Sequence, residues 1–318
     1  MKKPRILVVG SLVMDMIFRA KRFVAPGETI LGYDFTTASG GKGANQAVQA
    51  ARLGADVTLV GKIGSDANGQ TMIASLREAG VHAKRVIVTD TCASGVSNIQ
   101  IQTDEHGTQN RILVVPGANH SFLPRDAAFL EEEIVGFDMV VLQLEIPMVI
   151  NELVARYASA KGVPILLNPA PSDRLSDDLL ARLDYIIPNE HEAEDLTGIR
   201  PRDERSARAA ADALLQRGVK NVIITLGEAG AFYCDGKRSF LCPAISCPRP
   251  ADPTAAGDSF IGAFSTATCA GMDTADAMTF ANQTASISVS RMGAQPSLPA
   301  LREVNAALAA AGRKTLVY

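Results

Sequence analysis

Residues 204–225 read ERSARAAADALLQRGVKNVIIT. Over 204–215 the apolar residues recur at the helical period, and 221–225 is an almost unbroken apolar run. A strand covered by helices on both faces has no solvent side to alternate toward, so it reads as continuous Val and Ile. The same pairing recurs outward along the chain. Short apolar runs stand at 5–9 (RILVV), 57–60 (VTLV), 139–144 (MVVLQL), 163–167 (VPILL) and 185–187 (YII), each followed by a helix-like stretch such as 43–53. Strands alternating with helices predict an α/β fold, a doubly wound and mostly parallel sheet with helices on both faces. The 318 residues fit one such unit over 1–318.

Two segments break the rhythm. Residues 16–39 hold the turn Pro26-Gly27 and the run TILGYDFTT. Residues 95–115 hold GVSNIQIQT and TQNRILVV around the turn Asp104-Glu105-His106-Gly107, with Val96, Asn98 and Gln100 alternating against Ser97, Ile99 and Ile101. That period of two predicts hairpins, and together they predict a small antiparallel β-sheet lid formed from about 12–39 and 95–115. A movable cover beside an α/β body excludes water during group transfer. Its free edges invite a second copy of the chain, so a homodimer through the lid is expected.

Composition narrows the function classes. Hydrophobic residues are 47% and charged residues 20%, with a net charge of −3, so a large core is possible and no basic patch recommends nucleic acid or a membrane surface. The opening MKKPRILVVGSLVMD breaks its apolar run at Gly10-Ser11, and no stretch reaches a membrane-spanning length. Cys92, Cys234, Cys242, Cys247 and Cys269 form no C-x-x-C pair, which suits free thiols in a reducing cytoplasm.

Three segments carry chemistry. DPTAAGDSF (252–260) places small residues Ala255, Ala256 and Gly257 where a helix opens, and free N–H groups at a helix start favour an anion. Asp258 lies in that first turn, where it can take a proton from a hydroxyl; a plain helix-starting carboxylate fits the segment equally well. SGGKGANQA (39–47) sets Gly40, Gly41 and Gly43 to bring backbone near a small ligand, with Lys42 and Asn45 as donors. It is neither G-x-x-x-x-G-K-[ST] nor G-x-G-x-x-G, so an ordinary glycine-rich turn is the plainer alternative. Asn189 and Glu192 share one face of a helical turn, an arrangement that serves a hydrated Mg²⁺ or a capping box, or both.

These segments, in this order, resemble the ribokinase (PfkB) family of carbohydrate kinases. The likeness spans the chain through GSLVMD (10–15), GGKGANQA (40–47), LQLE (142–145), NPAP (168–171), PNEHEAE (188–194), ITLGEAG (224–230), DPTAAGDSF (252–260) and SRMGAQPS (290–297). The resemblance implies an ATP-dependent phosphotransferase acting on the primary hydroxyl of a pentose, D-ribose to D-ribose 5-phosphate, with Mg²⁺ and a K⁺ activator. It makes Asp258 the base and Ala255, Ala256 and Gly257 the anion hole. Val13, Asp15, Gly41, Lys42, Gly43, Asn45 and Glu145 fall at sugar-binding positions. Asn189, Glu192, Thr225, Gly227, Gly230, Gly257 and Asn282 fall at the ATP site, with Glu192 tied to Mg²⁺. Asp252, Thr254, Ser288, Arg291, Gly293 and Ser297 fall at a monovalent-cation site, several through backbone carbonyls.

One position departs from the pattern. Ribokinases usually read G-S-x-N-x-D at the first strand, and this chain has Val13 in place of that Asn, as deoxyribokinases have an apolar residue there. The alternatives are therefore 2-deoxyribose, another pentose or a nucleoside as substrate. A sugar sensor without catalysis would have no need of Asp258, and a nicotinamide dehydrogenase would need G-x-G-x-x-G.

Overall fold

The computed structural model describes residues 2–104 and 107–318. Glu105 and His106, in the middle of the expected hairpin turn, lie outside the described residues. The strands are β1 (Arg5–Val9), β2 (Val13–Ala20), β3 (Asp34–Gly40), β4 (Asp56–Gly64), β5 (His82–Thr89), β6 (Gly95–Asp104), β7 (Gly107–Val115), β8 (Met139–Gln143), β9 (Ile165–Asn168), β10 (Tyr185–Ile186), β11 (Asn221–Thr225), β12 (Gly230–Cys234) and β13 (Ser239–Pro243). Nine of them form the main sheet in the order β13-β12-β11-β10-β9-β8-β1-β4-β5. From β5 to β11 every pairing is parallel; β12 and β13 add an antiparallel edge.

Residue alternation along these strands feeds two cores. Ile6 and Val8 of β1 join one with Val57, Leu59, Met139 and Val141, under the helices Lys42–Arg52, Ala256–Cys269 and Thr274–Val289. Leu7 and Val9 join the other with Val140, Leu142, Ile165 and Leu167, under the helices Met148–Ala160 and Glu204–Gln216. Both faces are dry, which is why these strands lack polar alternation. Each fully buried Val, Leu or Ile contributes about 1.5–3 kcal/mol.

The small sheet runs β3-β2-β6-β7. Its two outer pairs, β2 with β3 and β6 with β7, are antiparallel, and β2 joins β6 by a parallel ladder from Val13 opposite Gly95 to Ala20 opposite Gln102. The parallel join has a simple origin: β2 follows β1 and β6 follows β5, two parallel strands of the main sheet, so both leave the body in the same direction. Asn119 ties the roots of the small sheet together. Its side chain accepts from the Leu12 N–H at 2.9 Å and donates to the Leu12 and Pro116 carbonyls at 2.8 and 2.9 Å.

In the main sheet, β4 and β5 lie to one side of β1, and β8 to β11 lie to the other. The chain therefore reverses its winding at β1/β8, and ligands of open α/β sheets bind at the carboxyl ends of the strands beside such a point. Ser11, Gln143 and Glu145, Asn168, Asn189 and Thr225 all sit at or just beyond those ends. Among the described residues no helix is long and apolar enough to cross a membrane, and all five cysteines are free.

Candidate active site

Two clefts meet at Asp258. One, of about 150 Å³, is lined by Val13, Asp15, Gly41, Lys42, Asn45 and Glu145 from the body and by Ser97, Ile99, Ile112 and Val114 of the small sheet, with Thr254, Asp258 and Ala294. The other, of about 200 Å³, is lined by Lys42, Asn168, Ala170, Ile187, Asn189, Glu192, Thr225, Thr254, Gly257, Asp258 and Ile261. Lys42, Thr254 and Asp258 belong to both.

Asp258 is in the first turn of the helix Ala256–Cys269 and is 6% exposed. That helix has Ala255 at its N-cap and no side-chain cap. An uncapped helix start leaves N–H groups for a ligand. Of the residues expected to form the anion hole, Ala256 donates its N–H to the Pro253 carbonyl at 3.1 Å. Among the described residues no acceptor meets the N–H groups of Gly257 and Asp258, and nothing lies within 4 Å of where a Gly257 Cβ would stand. The N–H of the expected Ala255 likewise meets no acceptor among the described residues, so the open donors are Ala255, Gly257 and Asp258.

The glycine loop, which lines the first cleft through Gly41, also packs against the segment after β1. A Cβ on Gly43 would stand 2.6 Å from the Ser11 nitrogen, and one on Gly41 would stand 2.8 Å from the Val13 nitrogen. Gly41 also has φ +89°, where a side chain is strained. A Cβ on Gly40 would stand 2.4 Å from a carboxylate oxygen of Asp15. These glycines lock GGKGANQA against GSLVMD and leave room for Asp15. The helix Lys42–Arg52 is capped from outside. Lys42 N–H donates to Glu145 at 2.9 Å, Gly43 N–H to the Ser11 hydroxyl at 3.3 Å, and Ala44 N–H to the Ser11 carbonyl at 2.9 Å. Ser11 in turn donates to Glu145.

The electrostatics are those of a carboxylate-rich site around one ammonium. Burial pushes the Asp15 carboxyl up to about 6; a hydrogen bond from Ser97 opposes this, and the charges of Glu145 and Asp258 add to it. Burial by itself would lower Lys42, but Asp258, Glu145 and Glu192 outweigh it and hold it above its ordinary value. Burial raises Glu192 against the opposing Asn189 N–H and Lys42. Asn189 and Glu192 do form the capping box. Asn189 donates from its backbone and its side chain to the two Glu192 oxygens, each at 2.9 Å, and accepts from the Glu192 N–H at 2.9 Å. Among the described residues no three His, Cys, Asp or Glu side chains group as metal ligands. One buried carboxylate beside open backbone N–H groups fits Mg²⁺, which keeps several waters and takes few protein ligands.

The six residues expected at a cation site come from the segment before the helix Ala256–Cys269 and from the end of the helix Thr274–Val289 with the segment after it. Asp252 accepts from Thr254 N–H and Gly293 N–H, each at 2.9 Å, and from the Thr254 hydroxyl. Ser288 and Ser297 hydroxyls lie 2.9 Å apart. The Arg291 side chain is held in an ion pair with Glu303. An all-oxygen set of carboxylate, hydroxyls and carbonyls suits a hard cation.

Three of the expected nucleotide positions, Gly227, Gly230 and Asn282, stand apart from the Glu192 cleft. Asn282 donates to the Cys242 and Pro243 carbonyls at 3.2 and 3.0 Å, tying the helix Thr274–Val289 to β13. Gly230 has φ +110° and faces the Cys242 carbonyl where a Cβ would come within 2.1 Å, so its backbone packing explains it. Gly227, at φ +51°, turns the chain after β11.

The sequence over residues 3–301 matches the pfkB family of carbohydrate kinases. The chain belongs to that family. It is 39% identical to a ribokinase of Haemophilus influenzae over 93% of this chain and 95% of that one. It is 34% identical to a deoxyribokinase of Salmonella typhimurium over 94% and 97%. The fold overlays on the structure of an Arabidopsis thaliana ribokinase complexed with ribose and ATP with a TM-score of 0.88, at 32% identity, over 95% of this chain and 98% of that one.

Several side chains of the site escape the family motifs as read from the sequence. Gln46 and Asn168 stand inside GGKGANQA and NPAP, yet only the fold brings them to Asp258 or to each other. Ile99, Ile112, Val114 and Ala294 add an apolar wall to the first cleft. For Ile99 the period-two pattern was a usable signal, since Ser97 and Ile99 share the buried face.

Proposed function

We propose that the chain is an ATP-dependent pentose kinase that transfers the γ-phosphoryl group of ATP to the primary hydroxyl of D-ribose, with 2-deoxyribose as a second acceptor. The carrying observation is Asp258 at the junction of two clefts, below the open N–H groups of Gly257 and Asp258. The Asp15 cleft takes the sugar: Asp15 and Glu145 accept hydroxyls, Asn45 donates, and the apolar wall covers a face of the ring. The cleft of Asn189, Glu192 and Thr225 takes the triphosphate end of ATP. Lys42 lies on both and neutralises the group in transit. Asp258 takes the hydroxyl proton, and the open amides receive the phosphoryl oxygens. Mg²⁺ held through Glu192, waters and phosphates supplies charge neutralisation. The small sheet acts as the lid. The test is an assay of ribose, 2-deoxyribose, hexoses and nucleosides side by side; kcat/KM is expected to be highest for a pentose, and a higher value for a nucleoside or a hexose would overturn the assignment.

Val13 decides between the pentoses. It is 4% exposed and lines the sugar cleft beside Asp15. An apolar side chain cannot satisfy a hydroxyl, and an unpaired buried hydroxyl costs about 1–3 kcal/mol. Val13→Asn is expected to move the ratio of kcat/KM values toward ribose by about tenfold. An unchanged ratio would show that Val13 does not set the choice.

A K⁺ ion among Asp252, Thr254, Ser288, Gly293 and Ser297 would fix the loop that opens the helix Ala256–Cys269. Activity at constant ionic strength is expected to rise with K⁺ and to fall when Na⁺ or a bulky organic cation replaces it. Rates indifferent to the cation would remove the site.

The small sheet is apolar on both faces. Ile112 and Val114 line the cleft on one face and are themselves exposed, and Leu113 and Val115, with Phe35 on β3, are exposed on the other. A patch of this kind marks an interface, and a second copy through the lid would cover it. Sedimentation at micromolar concentration reads the dimer directly; a monomer there contradicts it.

A further inference from the structure

We infer that Gln46 is a positioning residue for the base, holding the Asp258 carboxylate in one orientation through a buried chain of amides; the inference rests on the kinase reading of Asp258. Gln46 Nε2 donates to Asp258 Oδ1 at 2.9 Å, and Asn45 Nδ2 donates to Asp258 Oδ2 at 2.9 Å. Each carboxylate oxygen thus has one protein donor and keeps a free lone pair.

The chain of amides has a single consistent polarity. Asn168 Nδ2 donates to the Ile187 carbonyl at 3.1 Å, which leaves Asn168 Oδ1 to accept from Gln46 Nε2 at 3.1 Å. Gln143 Nε2 donates to Gln46 Oε1 at 2.7 Å. With Gln46 Oε1 taken, only its amino group can face Asp258, and it meets an acceptor there. The chain thus presents donors to Asp258 and matches its ionised form.

Close helix packing places Gln46 within reach. A Cβ on Gly262 would stand 2.8 Å from both the Gln46 carbonyl and the Gln49 Cβ, so the helices Lys42–Arg52 and Ala256–Cys269 meet where only glycine fits. One turn further along, Ser259 donates to Gln49 at 3.1 Å, and Gln49 donates to the Pro299 carbonyl at 3.0 Å. Gln46 is 1% exposed and lines neither cleft, so it acts through Asp258 and not on substrate.

The test uses Gln46→Met, which keeps the length and loses the donor, and Gln46→Glu, which keeps an acceptor for Gln143 and turns a carboxylate toward Asp258. Gln46→Met is expected to lower kcat about 10- to 100-fold with both KM values within about threefold, the loss that follows when a base is mis-aimed. Gln46→Glu is expected to lose more. The decisive arm is a double-mutant cycle. In an Asp258→Ala background, Gln46→Met is expected to change kcat by less than about twofold, because there is no base left to orient. A kcat near wild type in both single variants, or a Gln46→Met loss of full size in the Asp258→Ala background, would overturn the inference. A high kcat in Asp258→Ala alone would instead sink the kinase role of Asp258, and so separates the two failures.

Discussion

Asp258→Asn loses kcat by about 100-fold or more while still binding sugar and nucleotide, as expected when a positioned base is removed. The structure adds a second expectation. Both Asp258 oxygens receive donors, from Asn45 and Gln46. An amide at this position must set its own NH₂ against one of them. A buried donor facing a donor costs about 1–3 kcal/mol, so thermal stability falls together with activity. Stopped-flow turnover, calorimetric binding and a melting curve on one preparation read all three. Turnover near wild type removes Asp258 from the base role. A collapse of sugar and nucleotide binding would assign the loss to the fold instead.

Asp15→Asn separates stability from function in the opposite sense. Burial, with the charges of Glu145 and Asp258, pushes this carboxyl from 3.8 to about 6. The folded chain therefore holds the proton more tightly than the unfolded one. The stabilising contribution of that proton is complete below the ordinary carboxylate value and is lost as pH rises through about 6. The gap corresponds to roughly 3 kcal/mol of penalty at neutral pH. Asn at this position carries no charge and can still accept from Ser97. Asp15→Asn is expected to melt higher than wild type at pH 7.5, with the gain shrinking as pH falls below about 6 and gone near pH 4. Its sugar kcat/KM is expected to drop about 100-fold, two to three kcal/mol for lost charge-assisted bonds. In wild type, kcat/KM for sugar is expected to fall below pH about 6 as Asp15 takes up its proton. A variant that melts lower at neutral pH, or keeps its sugar kcat/KM, contradicts this account.

Much of the fold was readable because dry strands announce themselves. The runs at β1, β4, β8, β9, β10 and β11 are mostly apolar because both their faces are buried. Less visible were β5, whose edge position leaves His82, Lys84 and Arg85 exposed, and β13, which ends at Pro243 on the antiparallel edge. The parallel join of β2 and β6 was out of reach, because it depends on which strands of the main sheet launch them. In the site, AAGD and N-x-x-E could be read locally because helix starts use local donors. The glycines of GGKGANQA also meet Gly10 to Val13, a contact between segments far apart in sequence that no local pattern shows. Gln46 was invisible for the same reason, since its partners lie 97 to 212 residues away.

The central claim is that a sugar hydroxyl meets the γ-phosphate at Asp258. The direct measurement incubates the protein with Mg-ATP and D-ribose and follows ADP release together with the phosphorus spectrum of the products. One ADP per pentose phosphate, with the phosphate on the primary carbon, is the result predicted. ADP release that does not depend on the sugar, or phosphate on the anomeric carbon, would contradict it.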